Sequence, residues 1–459
     1  MPTDVRKPRF ALLILAYLAF VSLGLPDGLL GVGWPSISLD FEVPTEAVGL
    51  LLTTTTAGYL VSSVAAGFSI ARLGVGWLLA VSTGMAGLAL AGYAASPGLA
   101  MMIGCGLLLG LGSGAIDSGL NAYAAGAFGP RHMNWMHAFF GLGVAIGPLI
   151  MTSVLALGYA WRWGYGIVGA AQAVLALAFL LTAGAWAAGR DPTPADAKTA
   201  DAETAADAET PADAKPAAGP AERVGPVRIW ETLALPAVWF GALAFAVYVA
   251  IEIAAGLWAF LLLTEGRGVG ATFAGICVSI YWGSLFVGRV VQGFVAERLG
   301  TGRVLWWSLV AIAGGAALVA IPGPAALAIA GLAIIGFGAA PVFPLLTLTT
   351  ADRVGAAHAD RAIGLQIGAA GLGGALVSAG IGVLIGRFSV EALGPSLVAL
   401  ALVLLGLYVA ANRRDEMREV AANRRDEARE VAANRRDEMR EVAANRRDEA
   451  REESDGGSG

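Results

Sequence analysis

The chain is dominated by apolar windows of about 20 residues, the length that a helix needs to cross a bilayer. Twelve such windows occur, near 10–34, 45–71, 76–95, 98–127, 133–158, 163–187, 235–263, 271–297, 303–321, 324–350, 361–385 and 391–411. Only 14% of the residues are charged, against about 25% in soluble domains. Because backbone polar groups in lipid must be paired within the protein, windows of this length predict helices. We therefore predict an all-α polytopic membrane protein with twelve transmembrane helices.

The spans carry an internal duplication. The segment GFSIARLGVG at 67–76 aligns with GFVAERLGTG at 293–302, an offset of 226 residues. In the fifth and eleventh spans, GLG at 141–143 aligns with GLG at 371–373. The 226-residue offset also relates three glycines of the fourth span to the tenth, namely Gly110, Gly112 and Gly114 to Gly336, Gly338 and Ala340. Agreement in three pairs of spans predicts two six-helix pseudo-repeats, with a ligand site between them near the midplane.

Four segments follow from this organisation: an N-terminal six-helix bundle (1–188), a linker (189–228), a C-terminal six-helix bundle (229–411) and a tail (412–459). The linker is rich in Ala, Asp, Glu, Thr and Pro, so we predict that it is flexible. The tail repeats ANRRDEMREVA with an 11-residue period and ends in GGSG, which predicts a cytoplasmic helical extension. Tandem duplication and an engineered extension both explain this tail, so no functional argument rests on it.

Lysine and arginine are concentrated on one side of the predicted bundle. The opposite side holds only Arg162, Arg267 and Arg387. The positive-inside rule therefore predicts cytoplasmic termini, and we expect a monomeric, multi-pass protein of the plasma (inner) membrane that binds no nucleic acid. The sequence has no GxxxxGK[ST] loop and no metal-binding or nucleophile constellation. We predict a transporter without a cofactor, rather than an enzyme.

The fourth span, GLGSGAIDSGLNAY, has Asp117 at its centre. A carboxylate near the bilayer centre costs ~2.5–3.5 kcal/mol on insertion scales, so such a residue usually faces protein or water. Asn121 lies one helical turn later on the same face. We predict that Asp117 couples transport to protons and that Asn121 contacts substrate.

The first span contains Asp27 after a proline and between glycines, in GLPDGLLGVGW. This pattern predicts a broken helix whose freed backbone groups face protein or water. Asp27 would then be a second proton-coupling residue, in the outer half of the membrane. In the alternative interpretation, Asp27 merely ends the helix near the outer surface.

The seventh span places Glu252 at the centre of YVAIEIAAGLW, with no cation within two turns. Keeping a carboxylate charged in such surroundings is costly, so Glu252 is a candidate proton site or a ligand for a polar solute. Tyr248 and Trp258 flank it on nearly the same face. A structural alternative is a protonated Glu252 that bridges two helices.

The fourth and fifth spans are joined by the short turn AFGPRH, so residues equidistant from the turn should lie at similar depth. This places Asn121 opposite Asn134 and His137, which share one face of the fifth span. In the repeat register, Gln366 of the eleventh span lies three residues from His137 and could supply a polar group from the other half. The predicted substrate-binding set is Asn121, Asn134, His137, Gln366, Trp34, Tyr248, Trp258 and Tyr281.

The eighth span ends in GRVVQGFVAERLG, with Arg289 one turn before Gly293 and Glu297 two turns away. We predict that Arg289 and Glu297 form a cytoplasmic gate or brace. Direct contact between Arg289 and substrate is the alternative.

These motifs resemble the major facilitator superfamily over roughly 10–411, and more specifically are similar to the fucose:proton symporter family. The matching residues are Asp27, Asp117 and Asn121, Asn134 and His137, Tyr248 and Glu252, and the pair Phe343–Pro344. The resemblance implies that Asp27 and Asp117 serve substrate recognition and proton coupling. Asp117 replaces the Glu of that family and His137 replaces its Gln, so the family's substrate is not carried over. In the superfamily loop motif, Ala71 stands at the acidic position of the first half, whereas Glu297 partly keeps the motif in the second.

The main hypothesis is proton-coupled symport of a small polar solute, most simply a monosaccharide, by alternating access. Sodium coupling is also open, because carboxylates and carbonyls bind sodium as well. The alternative is proton-driven efflux of amphipathic compounds, since GxxxGP at Gly143–Pro148 partly resembles a motif of drug:proton antiporters. A third class, a receptor or scaffold that transports nothing, would tolerate the loss of every intramembrane carboxylate.

Overall fold

The computed structural model describes residues 10–128, 130–187 and 229–414, with isolated positions at 417, 424, 435, 436 and 439. Within these ranges the side chains of 130, 131, 134, 187 and 293–297 are outside the description. The predicted linker and nearly all of the predicted tail therefore lie outside the described residues. Those two predictions stay predictions.

The described ranges are helical and contain no strand. The helices are α1 (Phe10–Asp40), α2 (Val48–Ala95), α3 (Leu99–Ala127), α4 (Pro130–Ala156), α5 (Arg162–Ala187), α6 (Ile229–Leu233), α7 (Pro236–Leu261), α8 (Ala271–Leu299), α9 (Thr301–Ala320), α10 (Ala325–Ala339), α11 (Val342–Leu348), α12 (Thr350–Val354), α13 (Ala356–Arg387) and α14, which belongs to the apolar segment Val390–Arg414. A π-helical turn, Leu262–Gly266, follows α7, and short 3-10 turns span Thr45–Ala47 and Val390–Ala392.

The described part of the chain holds eleven segments that are long and apolar enough to cross a membrane. One of them, α2, has 48 residues and would measure about 72 Å as a straight helix, more than twice the thickness of the hydrocarbon core. Gly74 interrupts it with φ 73° and ψ 161°. A methyl group at Gly106 would touch both Thr55 and Tyr93, which stand equally far before and after Gly74. The chain therefore folds back at Gly74, and α2 supplies the second and third of twelve spans.

The predicted duplication reappears in the contacts between helices. A methyl group at Gly110 of α3 would lie 1.9 Å from the carbonyl oxygen of Thr55, and one at Gly336 of α10 would lie 2.4 Å from that of Tyr281. Both members of the second pair are displaced by the same 226 residues from the first. Only glycine allows such an approach of two backbones, and in lipid this close packing holds helices together.

A second pair of glycine contacts relates the two halves, with its members displaced by 230 and 225 residues. In the first half, a methyl group at Gly143 of α4 would lie 2.0 Å from the carbonyl oxygen of Val21 in α1. In the second half, one at Gly373 of α13 would lie 2.3 Å from that of Ala246 in α7. The first and fifth spans of each half thus cross at glycines, and the two six-helix pseudo-repeats are confirmed.

The predicted break at Asp27 is wrong, and so is the alternative that Asp27 ends the helix. Helix α1 is continuous from Phe10 to Asp40 and includes Pro26 and Pro35. A methyl group at Gly24 or Gly28 would lie 2.3 Å from a backbone oxygen of α4. The glycines therefore serve close packing against α4 rather than a break. The interruption is in the tenth predicted span instead, where Pro341 separates α10 from α11.

The chain divides into two compact units, Met1–Leu405 and Gly406–Gly459. The boundary between the units lies within the last span, Val390–Arg414, so this division does not test the predicted boundaries at 188 and 229. We call the end of the bundle at which α1 begins the near end, and the end at which α1 finishes the far end.

Close approaches between the halves occur toward the far end. There, a methyl group at Gly31 of α1 would lie 2.8 Å from the carbonyl oxygen of Gly256 in α7. One at Gly49 of α2 would lie 2.4 Å from the Cβ atom of Ala379 in α13. These contacts hold the two halves together at the far end.

Candidate functional site

Asp117 is the centre of a hydrogen-bonded cluster in the first half. The Tyr59 hydroxyl of α2 donates to Asp117 Oδ2 at 2.6 Å, and Asn121 Nδ2 donates to Asp117 Oδ1 at 3.0 Å. All three side chains are half-buried. Each oxygen of the Asp117 carboxyl group thus has a hydrogen-bond donor, and these two bonds fix its orientation. Asn121 Oδ1 is buried and has no hydrogen-bond partner among the described residues.

Asp27 of α1 has a different environment. From Ser22 to Ile37, it is the one residue of α1 whose side chain is exposed. Its charge nevertheless acts on the hydroxyls of three tyrosines inside the first half, Tyr59, Tyr93 and Tyr165. Asp27 therefore stands at the boundary between an accessible interior and the core of the first half.

His137 and Arg289 meet where α4 of the first half packs on α8 of the second. The His137 side chain is exposed and its ring packs edge-on against Phe20, with 5.2 Å between ring centroids. The charges of Asp117 and Arg289 both act on the imidazole. Arg289 Nη1 also donates to the backbone oxygen of His137 at 3.4 Å. The polar cluster of the first half thus reaches a cation of the second.

Glu252 lies in the second half and is 9% exposed. Its Oε2 accepts a hydrogen bond from the Tyr248 hydroxyl one turn earlier, and its backbone oxygen accepts one from the Tyr281 hydroxyl at 2.7 Å. Both tyrosines are buried, and the Arg289 charge acts on both. These contacts tie α7 to α8. The bond to α8 uses the backbone oxygen, whereas the carboxylate bonds within α7. Neither the predicted proton-coupling role of Glu252 nor the alternative of a side chain that bridges two helices is tested by these contacts.

Trp34 and Trp258 are each 1% exposed and lie toward the far end. Their indole nitrogens donate to backbone oxygens, Trp34 to Thr45 at 2.8 Å and Trp258 to Ser378 at 3.1 Å. Both line a cleft of about 550 Å³ that also includes Glu42 and Glu265. The structure places them beside this far-end cleft rather than beside Asp117.

Gln366 is 3% exposed and is also separate from the Asp117 cluster. Its Oε1 accepts a hydrogen bond from Thr350 at 3.0 Å, and its amide lies against Gly241 in the first turns of α7. These contacts are toward the near end. The side chains of Asn134 and Glu297 lie outside the described residues, so their predicted roles are not placed.

The structure therefore brings together Asp117, Asn121, His137 and Arg289, with Asp27 on the neighbouring helix and Glu252 in the opposite half. Sequence reasoning missed Tyr59, the closest donor to Asp117. Tyr59 lies on another span, 58 residues away, and no spacing rule connects the two. A usable signal is that Tyr59 is the only tyrosine among the small and aliphatic residues of its span.

The repeat-related position of the second half contains no such cluster. There, Phe343 stands at the position of Asp117 and packs edge-on against Phe245, with 5.2 Å between ring centroids. Among the described residues, polar groups that converge on a carboxylate in this way belong to one wall of the bundle.

Comparison with known families gives a match to one family model. The model described as Major Facilitator Superfamily matches residues 16–378. Among curated proteins, the glucose/mannose transporter GlcP of Bacillus subtilis (strain 168) is 28% identical over 141 residues. This alignment covers 30% of the present chain and 34% of that relative, so the chain spans about a third of its length.

Solved structures with the same fold include two transporters. A variant of the nucleoside transporter NupG has a TM-score of 0.65 and 15% sequence identity, and the match covers 88% of this chain and 100% of that one. A D-xylose-proton symporter has a TM-score of 0.65 and 12% identity, with coverage of 87% and 97%. At these identities the likeness concerns the fold.

Proposed function

Since the chain belongs to the Major Facilitator Superfamily, we propose that it is a secondary active transporter that carries a monosaccharide together with a proton. Transport would proceed by alternating access to a site between the two halves, near the membrane midplane. The observation that carries the proposal is the cluster of Tyr59, Asp117 and Asn121, which faces His137 and Arg289.

The side chains of this cluster suit the binding of a neutral, hydroxylated solute. Small-molecule sites combine apolar and aromatic walls with a few well-placed polar groups. Asp117 and Asn121 offer acceptors and donors at one depth, and the exposed ring of His137 packs on Phe20 beside them. Sugar hydroxyls could exchange hydrogen bonds with this set. The names of GlcP and of the xylose-proton symporter support the same substrate class.

In this proposal the two acidic residues of the first half have different roles, one in substrate binding and one in proton coupling. Asp117 has a donor on each oxygen, which fixes the orientation of its carboxyl group, so it acts as the substrate anchor. Asp27 is exposed to the interior and has no hydrogen-bond donor among the described residues. A carboxyl group without fixed donors can gain and lose a proton more readily, so Asp27 carries the coupling proton.

Export of amphipathic compounds gains no specific support from the geometry. The glycines of the GxxxGP segment, Gly143 and Gly147, contact the backbone of α1 at Val21, Leu25 and Gly28. Close helix packing accounts for them without a drug-binding role.

The test is uptake by proteoliposomes of labelled sugars, nucleosides and amphipathic drugs, with and without an inward proton gradient. We expect one sugar to accumulate above its external concentration only when the gradient is present. Asp117→Asn should lower sugar binding roughly 10-fold or more, because a charged hydrogen-bond acceptor is lost. Asp352→Asn, an exposed carboxylate of α12, is the matched control and should leave uptake unchanged. Gradient-driven accumulation of drugs but of no sugar would refute the proposal.

A further inference from the structure

A group of polar side chains inside the first half is not used by the proposed mechanism. Tyr165 of α5 is fully buried, and its hydroxyl has no hydrogen-bond partner among the described residues. Gln172, two turns later on the same face of α5, is 1% exposed, and its Oε1 is likewise unpartnered. Buried polar groups are nearly always satisfied, by protein or by ordered water. Two exceptions on one helix face call for a common explanation.

These two side chains lie along the part of α1 that carries Asp27. Gln172 Nε2 donates to the backbone oxygen of Ser22 at 3.4 Å. A methyl group at Gly164, the neighbour of Tyr165, would lie 3.6 Å from Leu29. Helices α1 and α5 therefore run antiparallel here, with Asp27 between the two contact points. The action of the Asp27 charge on the Tyr165 hydroxyl agrees with this placement.

Helix α2 completes the group from the other side. The rings of Tyr93 and Tyr165 are 5.1 Å apart at 82°, and Tyr93 is 3% exposed. The hydroxyls of Tyr93 and Thr55 converge on one point, since a methyl group at Gly106 would lie 3.1 Å from the first and 3.0 Å from the second. The Asp27 charge acts on Tyr93 as well. Three hydroxyls from two helices thus lie in the region behind Asp27.

We propose that Tyr165, Tyr93 and Thr55 hold water in a hydration site behind Asp27, and that this water hydrogen-bonds the Asp27 carboxyl group and fixes the coupling proton there. The site takes water, which can donate to the ionised carboxylate and accept from the protonated form. On release, the proton leaves Asp27 for water of the accessible interior, and the tyrosines keep theirs. Tyr165 is a positioning residue in this scheme. The inference rests on the proposed role of Asp27.

Other titratable groups among the described residues also lie on the helices packed around Asp27: besides the tyrosines they are Asp117 of α3, His137 of α4 and Glu252 of α7. Helix α4 touches the neighbouring turn of α1 through Phe140, Val144 and Pro148, none of which titrates. Helix α2 presents Tyr59 in addition to Tyr93. Helix α7 approaches at Gly31, and its nearest acid is Glu252, one turn before Gly256.

Tyr165→Phe removes one oxygen atom and keeps the ring. The lost water contact would have favoured the ionised carboxylate, so the pH midpoint of gradient-driven uptake should move up by about one pH unit. Substrate exchange, which needs no net proton movement, should stay within about twofold. Thermal stability should be unchanged or higher, since an unpartnered hydroxyl is removed. Tyr159→Phe is the control, because Tyr159 is 58% exposed and should give the wild-type profile.

A second measurement does not depend on transport. Infrared difference spectra of the full chain should show a carboxyl C=O band that disappears in Asp27→Asn. In Tyr165→Phe this band should move to higher frequency, because a hydrogen bond to the carboxyl group is weakened. An unshifted band and an unchanged pH profile would overturn the hydration site, even in a protein that transports sugar. If the band shifts but no sugar accumulates in the wild type, the site stands and the proposed function fails.

Discussion

The two halves of the bundle share the contacts between their helix backbones and differ in the polar side chains that face the interior. Gly110 contacts Thr55 in the first half as Gly336 contacts Tyr281 in the second, with both partners displaced by the same offset. Yet Asp117, bonded to Tyr59 and Asn121, is replaced by Phe343. The backbone contacts of a duplicated fold were thus kept while the polar groups that face the interior diverged.

The carboxylates show the same divergence. Asp27 is exposed to the interior, whereas Glu252 is almost completely buried and bonded to Tyr248. The two are repeat-related, since the contacts of Val21 and Ala246 with the fifth span of each half relate the first and seventh spans by 225 residues, the separation of Asp27 and Glu252. We therefore expect accessibility, rather than the mere presence of a carboxylate in a span, to decide which of the two residues exchanges protons.

At the far end of each half, an arginine forms an ion pair with an acidic residue that lies far away in the sequence, and we call this pair an arginine clamp. The spans that carry the arginine and the acid are exchanged between the two halves. In the first half, Arg162 at the start of α5 binds Asp40 at the end of α1 at 2.5 Å and also donates to the Ser96 carbonyl. In the second half the cation follows α7: Arg267 binds Glu391 at 3.0 Å and donates to the Ile321 carbonyl. Both arginines reach the loop between the third and fourth spans of their half. The position of the clamp is preserved, but the residue that carries each charge is exchanged.

The largest effect should come from the accessible carboxylate. Asp27→Asn should abolish gradient-driven uptake, by roughly 100-fold, because the coupling proton has no site. Exchange of substrate across the membrane should persist. Glu252→Gln should lower uptake only several-fold, since the amide can still accept from Tyr248. Equal losses in the two variants would show that both halves carry the proton.

The clamps should differ in strength, which thermal unfolding in detergent can measure. The Arg267 side chain is 4% exposed and that of Arg162 is 32% exposed. Arg267→Ala should cost about 1–3 kcal/mol of unfolding free energy, because it removes the charged donor of several carbonyls and the partner of the partly exposed Glu391 carboxylate. Arg162→Ala should cost less than about 1 kcal/mol, as is typical of exposed ion pairs. Arg387→Ala, an exposed arginine at the same end, is the control. A larger loss for Arg162 would reverse this ranking.

Because the two halves share these backbone contacts, substitution of the repeat-related glycines by alanine should lower the free energy of unfolding equally in both. Gly110→Ala and Gly336→Ala should each cost about 1–3 kcal/mol, because the added methyl group meets a carbonyl oxygen of the neighbouring helix. Gly104→Ala and Gly314→Ala are controls in the same halves, since a methyl group there meets nothing within 4 Å. Thermal unfolding of all four variants gives the comparison. Tolerance at Gly336 but not at Gly110 would mean that the second half is packed more loosely than its glycines suggest.

Much of this fold could be predicted from the sequence, because span length and glycine spacing are local properties. The twelve spans and the pairing of Asp117 with Asn121 follow from spacing along single helices, and the pseudo-repeats follow from the alignment of glycine-rich segments between the halves. The break at Asp27 was wrong, because glycines beside a proline also occur where two helices cross closely. Gln366 was placed in the predicted site by the repeat register and Trp258 by its spacing from Glu252, but the structure places Gln366 toward the near end and both Trp258 and Trp34 toward the far end.

By itself, the sequence determined that the chain crosses a membrane twelve times in two related halves, since the need to pair backbone groups in lipid leaves few alternatives to helices. It also singled out the carboxylates, because each is costly to insert. Only the tertiary structure decided which of them face the interior, and it alone joined Tyr59 to Asp117 and Tyr165 to the region behind Asp27. Those relations depend on how helices rotate and cross, which side-chain packing over the whole bundle fixes and no single span encodes.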